Sequence, residues 1–153
     1  MGLESAWMSE ILIGTDGSED ADRALEVAVE LARQTGDRLV IAAVWQVPPG
    51  EFGVPYGGYV SADVWDQYRK HGDESLARAR EKAEAAGVAV ETVLLEGSPA
   101  SELCAYAKER GVRLIVVGTH GWGRVMGALF GSVSSAVLHK ASCPVLVVPP
   151  PRG

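Results

Sequence analysis

Short apolar runs alternate with helical segments along the whole chain, and this alternation constrains the fold more than any other feature. Five runs predict strands, at residues 11–13, 39–44, 88–95, 114–117 and 145–148. Several are apolar on both faces, as is typical of parallel strands covered on both sides. The segments between them have helical periodicity, and two begin at the capping residues Ser18 and Ser98. We therefore expect an α/β fold in one domain spanning residues 1–153, with a parallel sheet and right-handed crossovers.

Two segments depart from the alternation, and one helix contains a glycine. Residues 46–60 include three prolines and four glycines and show no helix or strand period. A connection of this length is usually functional or mobile, so we expect a mobile loop that can fold down beside a ligand. We also expect a flexible N-terminus over residues 1–9. Gly72 predicts a break in the helix at residues 61–86.

Composition excludes several classes of function. Acidic residues outnumber basic ones by 20 to 14, which argues against a protein that tracks nucleic-acid phosphates. Cys104 and Cys143 lack metal-ligand spacing and are expected to be buried thiols in a reducing compartment. His71 and His139 lie in helical patterns and are expected at the surface. Without a secretory signal or an apolar stretch of about 20 residues, we expect a cytoplasmic protein that binds neither nucleic acid nor membrane.

The glycines after the fourth strand are the main functional signal. Gly118 and Gly121 follow that strand, and Gly131-Ser132 opens the next helix. Glycine allows a ligand to approach the backbone closely, and a helix start offers unpaired N–H groups to an anion. The stretch has no Gly-Lys pair, so it is not a Walker A loop. It is not the dinucleotide fingerprint either, since Met126 stands where the last glycine belongs.

The spacing of Gly118, Gly121, Gly131 and Ser132 resembles the nucleotide motif of the universal stress protein family, which is Gly, two residues, Gly, nine residues, Gly, then Ser or Thr. The resemblance extends to Ile-Gly-Thr-Asp-Gly-Ser at 13–18 and to Cys-Pro-Val-Leu-Val-Val at 143–148. It implies a five-stranded Rossmann-like sheet of order 3-2-1-4-5 with helices on both faces, similar to that of adenine nucleotide alpha hydrolases. It also implies binding of ATP or another adenine nucleotide, with or without Mg²⁺.

The resemblance further implies which residues surround the nucleotide. Asp16 would bond the adenine or the ribose, the backbone of Val44 would contact the adenine edge, and Gly118 would lie against the ribose. Alternatively, Asp16 serves only as a cap for the helix that begins after Ser18, and Arg124 is either a phosphate ligand or a solvated loop charge. The full expected set is Gly14, Thr15, Asp16, Val44, Val117, Gly118, His120, Gly121, Arg124, Gly131, Ser132, Val133 and Ser134. We expect no catalytic residue and no protein ligand to a metal.

These residues are compatible with three hypotheses about function. The leading hypothesis is a regulatory module of a stress response that couples nucleotide occupancy to a conformation or a partner. A slow Mg²⁺-dependent ATP hydrolase or phosphotransferase is the second, although the motif offers no lysine for phosphoryl transfer. An interaction module that needs no nucleotide is the third. The fifth strand, Val145–Val148, is uncharged and lacks proline, so we expect it to pair with its own copy in a homodimer. Alternatively, the prolines at 149–151 or a loop cover this edge and the protein is a monomer.

Overall fold

The computed structural model describes residues 9–46, 61–119 and 131–152. Five strands and four helices alternate along these ranges: β1 Glu10–Thr15, α1 Glu19–Thr35, β2 Arg38–Trp45, α2 Ala62–Ala85, β3 Val90–Glu96, α3 Pro99–Arg110, β4 Leu114–Gly118, α4 Ser132–Lys140 and β5 Val145–Val148. All neighbouring strands pair in parallel, in the order β3-β2-β1-β4-β5. The predicted strand order is therefore confirmed. No helix in these ranges is long and apolar enough to cross a bilayer.

Strand β1 is the centre of the sheet, and its side chains alternate between two apolar cores. Ile11 pairs in register with Leu39 of β2 and with Leu114 of β4. Its side chain is fully buried in the core under α1 and α2, whereas that of Leu12 is fully buried in the core under α3 and α4. Each such side chain contributes roughly 1.5–3 kcal/mol on burial. Both faces of the sheet are thus covered, as the apolar strands predict.

Local signals set the ends of α1 as predicted. Ser18 caps this helix by accepting a hydrogen bond from the Ala21 amide at 3.2 Å, and Gly36 ends it in the left-handed conformation. Ser98 also occupies the N-cap position of α3, before Pro99, but its side chain makes no capping hydrogen bond. The capping residues of both helices were therefore predictable from the sequence.

The break predicted at Gly72 is wrong, because α2 runs without interruption over 24 residues. A Cβ atom at this position would lie 2.6 Å from Cδ1 of Leu94 on β3. The glycine therefore allows α2 to pack closely on the sheet, at a cost of about 1 kcal/mol in helix propensity relative to alanine. Gly72 is also the first buried residue of α2, and none of residues 62–71 is buried.

Charged side chains join the elements at the amino-terminal edge of the sheet. Arg110 of α3 forms ion pairs with Glu10 at 2.7 Å and with Glu91 at 2.9 Å. In a second group, the buried carboxylate of Asp37 accepts hydrogen bonds from Arg113 and from the Ser9 hydroxyl. These contacts link α3 to β1 and β3, and the residue before β4 to the loop that precedes β2. The opposite, carboxyl-terminal edge holds the predicted site.

The two cysteines differ in exposure. Cys104, on α3, is buried as expected, whereas Cys143 is only half-buried. Burial raises the pKa of both thiols, which disfavours the reactive thiolate.

Candidate functional site

The turn between β1 and α1 forms one wall of the candidate site. Thr15 is buried, and its hydroxyl oxygen accepts a hydrogen bond from the Gly17 amide at 3.2 Å. Asp16 is half-buried, and its Oδ1 accepts from the Ser18 amide at 3.0 Å. Ser18, rather than Asp16, supplies the helix cap. Among the described residues Oδ2 of Asp16 has no hydrogen-bond partner, so this oxygen is available to a ligand that donates a hydrogen bond.

Helix α2 packs against the same turn and contacts its residues Asp16 and Gly17. Nε2 of His71 lies 3.2 Å from the Asp16 carbonyl oxygen. Gly17 has φ near +80°, and a Cβ atom there would lie 2.7 Å from the Ser75 hydroxyl and 2.8 Å from Nη2 of Arg78. His71 is exposed as expected, but its contact with Asp16 could not be predicted from the sequence, because 55 residues separate the two. The turn is therefore held between β1 and α2.

Gly118 ends β4 next to this turn. A Cβ atom at Gly118 would lie 2.8 Å from the carbonyl oxygen of Asp20, in the first turn of α1. Asp20 itself is buried and forms an ion pair with Arg23. The packing of α1 against β4 thus requires a glycine here, whatever contact Gly118 makes with a ligand.

The start of α4 is attached to the end of β4. The Gly131 amide donates to the Thr119 carbonyl, and the buried Ser134 hydroxyl lies 3.0 Å from the carbonyl oxygens of both Thr119 and Gly131. Ser134 therefore directs its proton at the backbone and fixes the first turn of α4. Ser132, by contrast, is exposed at the first position of the helix.

Unpartnered polar groups collect at this junction. Within the described residues no side chain caps α4, and its first turn contains no acidic residue, so its leading amides have no partner there that would compete with an anion. Thr119 is only 4% exposed, and its buried Oγ1 has no hydrogen-bond partner within the described part of the chain. Sequence reasoning passed over Thr119, although it lies inside the glycine motif. A buried hydroxyl without a partner is costly, and a bound ligand would satisfy it.

The remaining predicted residues fall into two groups. Gly14 and Val117 are buried within β1 and β4, Val44 is the second-to-last residue of β2, and Val133 is half-buried at the start of α4. His120, Gly121, Arg124 and the predicted mobile loop from residue 47 onward lie outside the described residues, as do residues 1–8. The structure thus brings the described members of the set to one edge of the sheet.

Aromatic side chains lie where β2 ends. The rings of Trp45 and Trp65 meet edge to face with centroids 5.4 Å apart, and the Arg69 guanidinium lies 5.1 Å from the Trp45 centroid. These contacts join the exposed first turns of α2 to the sheet. The described residues contain no group of three or more His, Cys, Asp or Glu side chains that could hold a metal ion.

Fold and site together define a doubly wound α/β protein whose candidate ligand site lies between β1 and β4, where the strand order reverses. Residues 8–149 match the model of the universal stress protein family. Universal stress protein YxiE of Bacillus subtilis is 35% identical over 145 residues, covering 92% of this chain and 98% of that protein. The chain belongs to the universal stress protein family, as its glycine motif predicts.

Solved structures agree with this assignment. A universal stress protein in complex with cAMP is 31% identical with a TM-score of 0.69, over 92% of this chain and 96% of its own. The universal stress protein from Archaeoglobus fulgidus in complex with dAMP is 25% identical with a TM-score of 0.65, over 92% and 97%. Relatives of this fold therefore bind adenine nucleotides.

Proposed function

We propose that this protein binds an adenine nucleotide, with ATP as the principal ligand, and acts as a regulatory module in a stress response. The observation that carries the proposal is the buried Thr119 hydroxyl beside the start of α4, since neither the hydroxyl nor the helix start has a side-chain partner among the residues that the structure describes. Both features lie at the carboxyl-terminal edge of the sheet, next to the turn that holds Asp16. The cAMP and dAMP complexes of related proteins support an adenine nucleotide as the ligand.

The phosphates would lie at the start of α4. The amides of Ser132, Val133 and Ser134 lack intrahelical partners, and the exposed Ser132 hydroxyl adds a donor. Ser134 supports them by holding the first turn against Thr119. Gly121, His120 and Arg124 would complete this end of the site from the loop. Mg²⁺ would arrive with the phosphates, since this ion usually binds through them and few carboxylates.

The nucleoside would lie over the ends of β1 and β2. Oδ2 of Asp16 can accept a hydrogen bond from a ribose hydroxyl or from the adenine amino group, because a carboxylate is purely an acceptor. The backbone of Val44 would meet the adenine edge. A base placed there would also approach Trp45, whose ring Arg69 contacts, and the fluorescence of Trp45 offers an optical signal of binding.

Calorimetry with ATP, ADP, AMP and cAMP tests the proposal, with GTP as the comparison nucleotide. Wild type should bind at least one adenine nucleotide with micromolar affinity, and Gly131→Val should lose that binding because its side chain would enter the phosphate space. Ala86→Val adds a β-branched side chain at the far end of α2 and should bind normally. No adenine nucleotide binding by wild type, or equal binding by Gly131→Val, would contradict the proposal.

We propose in addition that two copies pair along β5. Val145–Val148 forms one edge of the sheet, and its residues are half-buried and uncharged. Leu138, on the preceding helix, is 45% exposed, and among the described residues Trp65 is the other large apolar side chain that is exposed. An unpaired apolar edge invites another strand, and a two-fold contact closes both edges at once.

A further inference from the structure

We infer that His71 is a positioning residue for the nucleotide site and acts by holding Asp16. This inference rests on the proposed function, because it assigns Asp16 a ligand. His71 lies on α2 and outside the glycine motif. It reaches the site only because α2 crosses the turn between β1 and α1.

The contact is a hydrogen bond of defined direction. The Asp16 carbonyl oxygen can only accept, so Nε2 of His71, at 3.2 Å, carries the proton. Both the neutral ring protonated at Nε2 and the imidazolium can donate this bond. It joins α2 directly to the turn at residues 15–18.

The bond completes the fixation of Asp16. The backbone of this residue is held at its carbonyl by His71, and its side chain is held at Oδ1 by the Ser18 amide. These two bonds leave Oδ2 as the oxygen available to a ligand. An acceptor fixed before the ligand arrives costs less ordering entropy on binding, so affinity depends on both bonds.

The position of α2 is itself well determined. Ser75 and Arg78 pack directly against Gly17, where even one added carbon would collide. Lys82 forms an ion pair with Asp22 of α1 at 3.1 Å. His71 therefore lies on a helix that contacts both the turn and α1 through other residues, so loss of its ring would release Asp16 without displacing α2.

Nucleotide affinity of three variants forms the first test. His71→Leu should weaken ATP binding about two- to twelvefold, the range for loss of one neutral hydrogen bond. His71→Gln, whose amide N–H occupies nearly the position of Nε2–H, should bind within about twofold of wild type. His139→Leu removes another exposed histidine and should bind like wild type. Equal binding by His71→Leu and wild type would overturn the inference.

A double-mutant cycle separates positioning from general damage. In the Asp16→Ala background, His71→Leu should cause no further loss of affinity, since its effect passes through the missing carboxylate. Loss by the same factor in both backgrounds would show a merely structural role and overturn the inference.

A ligand-free measurement keeps the inference distinct from the proposed function. The Ser18 amide donates a hydrogen bond to Oδ1 of Asp16. This amide should exchange its hydrogen about two- to twelvefold faster in His71→Leu than in wild type or His71→Gln. Unchanged exchange would overturn the inference even if the protein binds ATP. Faster exchange in a protein that binds no nucleotide would confirm that His71 holds Asp16 and would contradict the proposed nucleotide ligand.

Discussion

The carbonyl oxygen of Asp20 occupies the space next to Gly118, so that a Cβ atom at position 118 would lie only 2.8 Å away from it. The first turn of α1 therefore presses directly on the last residue of β4. Because α1 follows β1, this contact holds together the ends of β1 and β4, between which the candidate site lies.

Gly118→Ala should destabilise the protein by about 1–3 kcal/mol in the absence of any nucleotide, because the methyl group forces backbone atoms apart. Urea unfolding of the ligand-free variant and wild type measures the difference. If Gly118 were a glycine only for the sake of the ribose, the unfolding curves would coincide and only the nucleotide affinity would fall.

Ser132→Ala should weaken ATP binding on the order of tenfold while leaving the melting temperature of the ligand-free protein unchanged. The exposed Ser132 hydroxyl makes no capping hydrogen bond, and a hydrogen bond to a charged phosphate contributes roughly 1.5–3 kcal/mol. Ser98→Ala is the matched control, since Ser98 also opens a helix without a capping bond but follows the edge strand β3. Equal affinity of Ser132→Ala and wild type in calorimetry would remove Ser132 from the site.

Asp37→Asn should destabilise the protein at neutral pH by roughly 1.5–3 kcal/mol, the range for hydrogen bonds to a charged group. Burial alone would raise the pKa of the Asp37 carboxyl, but hydrogen bonds from Arg113, Ser9 and Thr35 outweigh burial and lower the pKa. A lowered pKa contributes stability above about pH 4, the ordinary value, and this contribution is lost as the pH falls through the folded-state pKa.

Urea unfolding at several pH values measures this dependence. The difference between wild type and Asp37→Asn should shrink steadily below about pH 4. Glu30→Gln is the control, because Glu30 is an exposed acid whose ion pair with Arg33 lies at the surface. A difference that stays constant down to pH 2 would contradict the assigned role of the Asp37 charge.

Val147→Pro should shift the protein toward monomers if the amide of residue 147 points to the partner strand. Proline removes that donor, and an edge strand cannot pair through it. Analytical ultracentrifugation at micromolar concentration compares the variant with wild type. A wild-type monomer under these conditions would rule out pairing along β5.

ATP turnover should stay well below the ~1–100 s⁻¹ typical of kinases. The segment from Gly118 to Ser132 contains no lysine to neutralise charge on the transferred phosphate. Steady-state phosphate release by purified protein with Mg²⁺ measures the rate. Several turnovers per second would favour the hydrolase over the regulatory module.

The strands and the ends of α1 were open to prediction because they depend on local patterns, whereas the strand order followed from the family resemblance. Apolar runs mark the strands, and Ser18 and Gly36 mark the helix ends within a few residues of chain. The prediction at Gly72 was wrong because the need for glycine there comes from Leu94 on β3. A glycine required by packing between two elements looks the same in the sequence as a glycine that breaks a helix.

The candidate site likewise contains features that the sequence predicts and features that depend on packing between distant segments. The glycine motif is contiguous enough to be recognised, and it led to Asp16 and Ser132. The role of His71 depends on how α2 crosses the turn, and the unsatisfied hydroxyl of Thr119 depends on how α4 docks against β4. Neither arrangement has a counterpart in residue spacing.

Residues 62–71 of α2 extend beyond the core, and His71 joins this segment to Asp16. The nine residues from His71 to Ala62 span about 14 Å. Because α2 is packed on the sheet from Gly72 onward, a bend of about 5° at His71 would move the amino-terminal end of the helix by roughly 1 Å without displacing the packed part. A small adjustment of the ligand turn would thus change the contact between Trp65 and Trp45, where fluorescence would detect it.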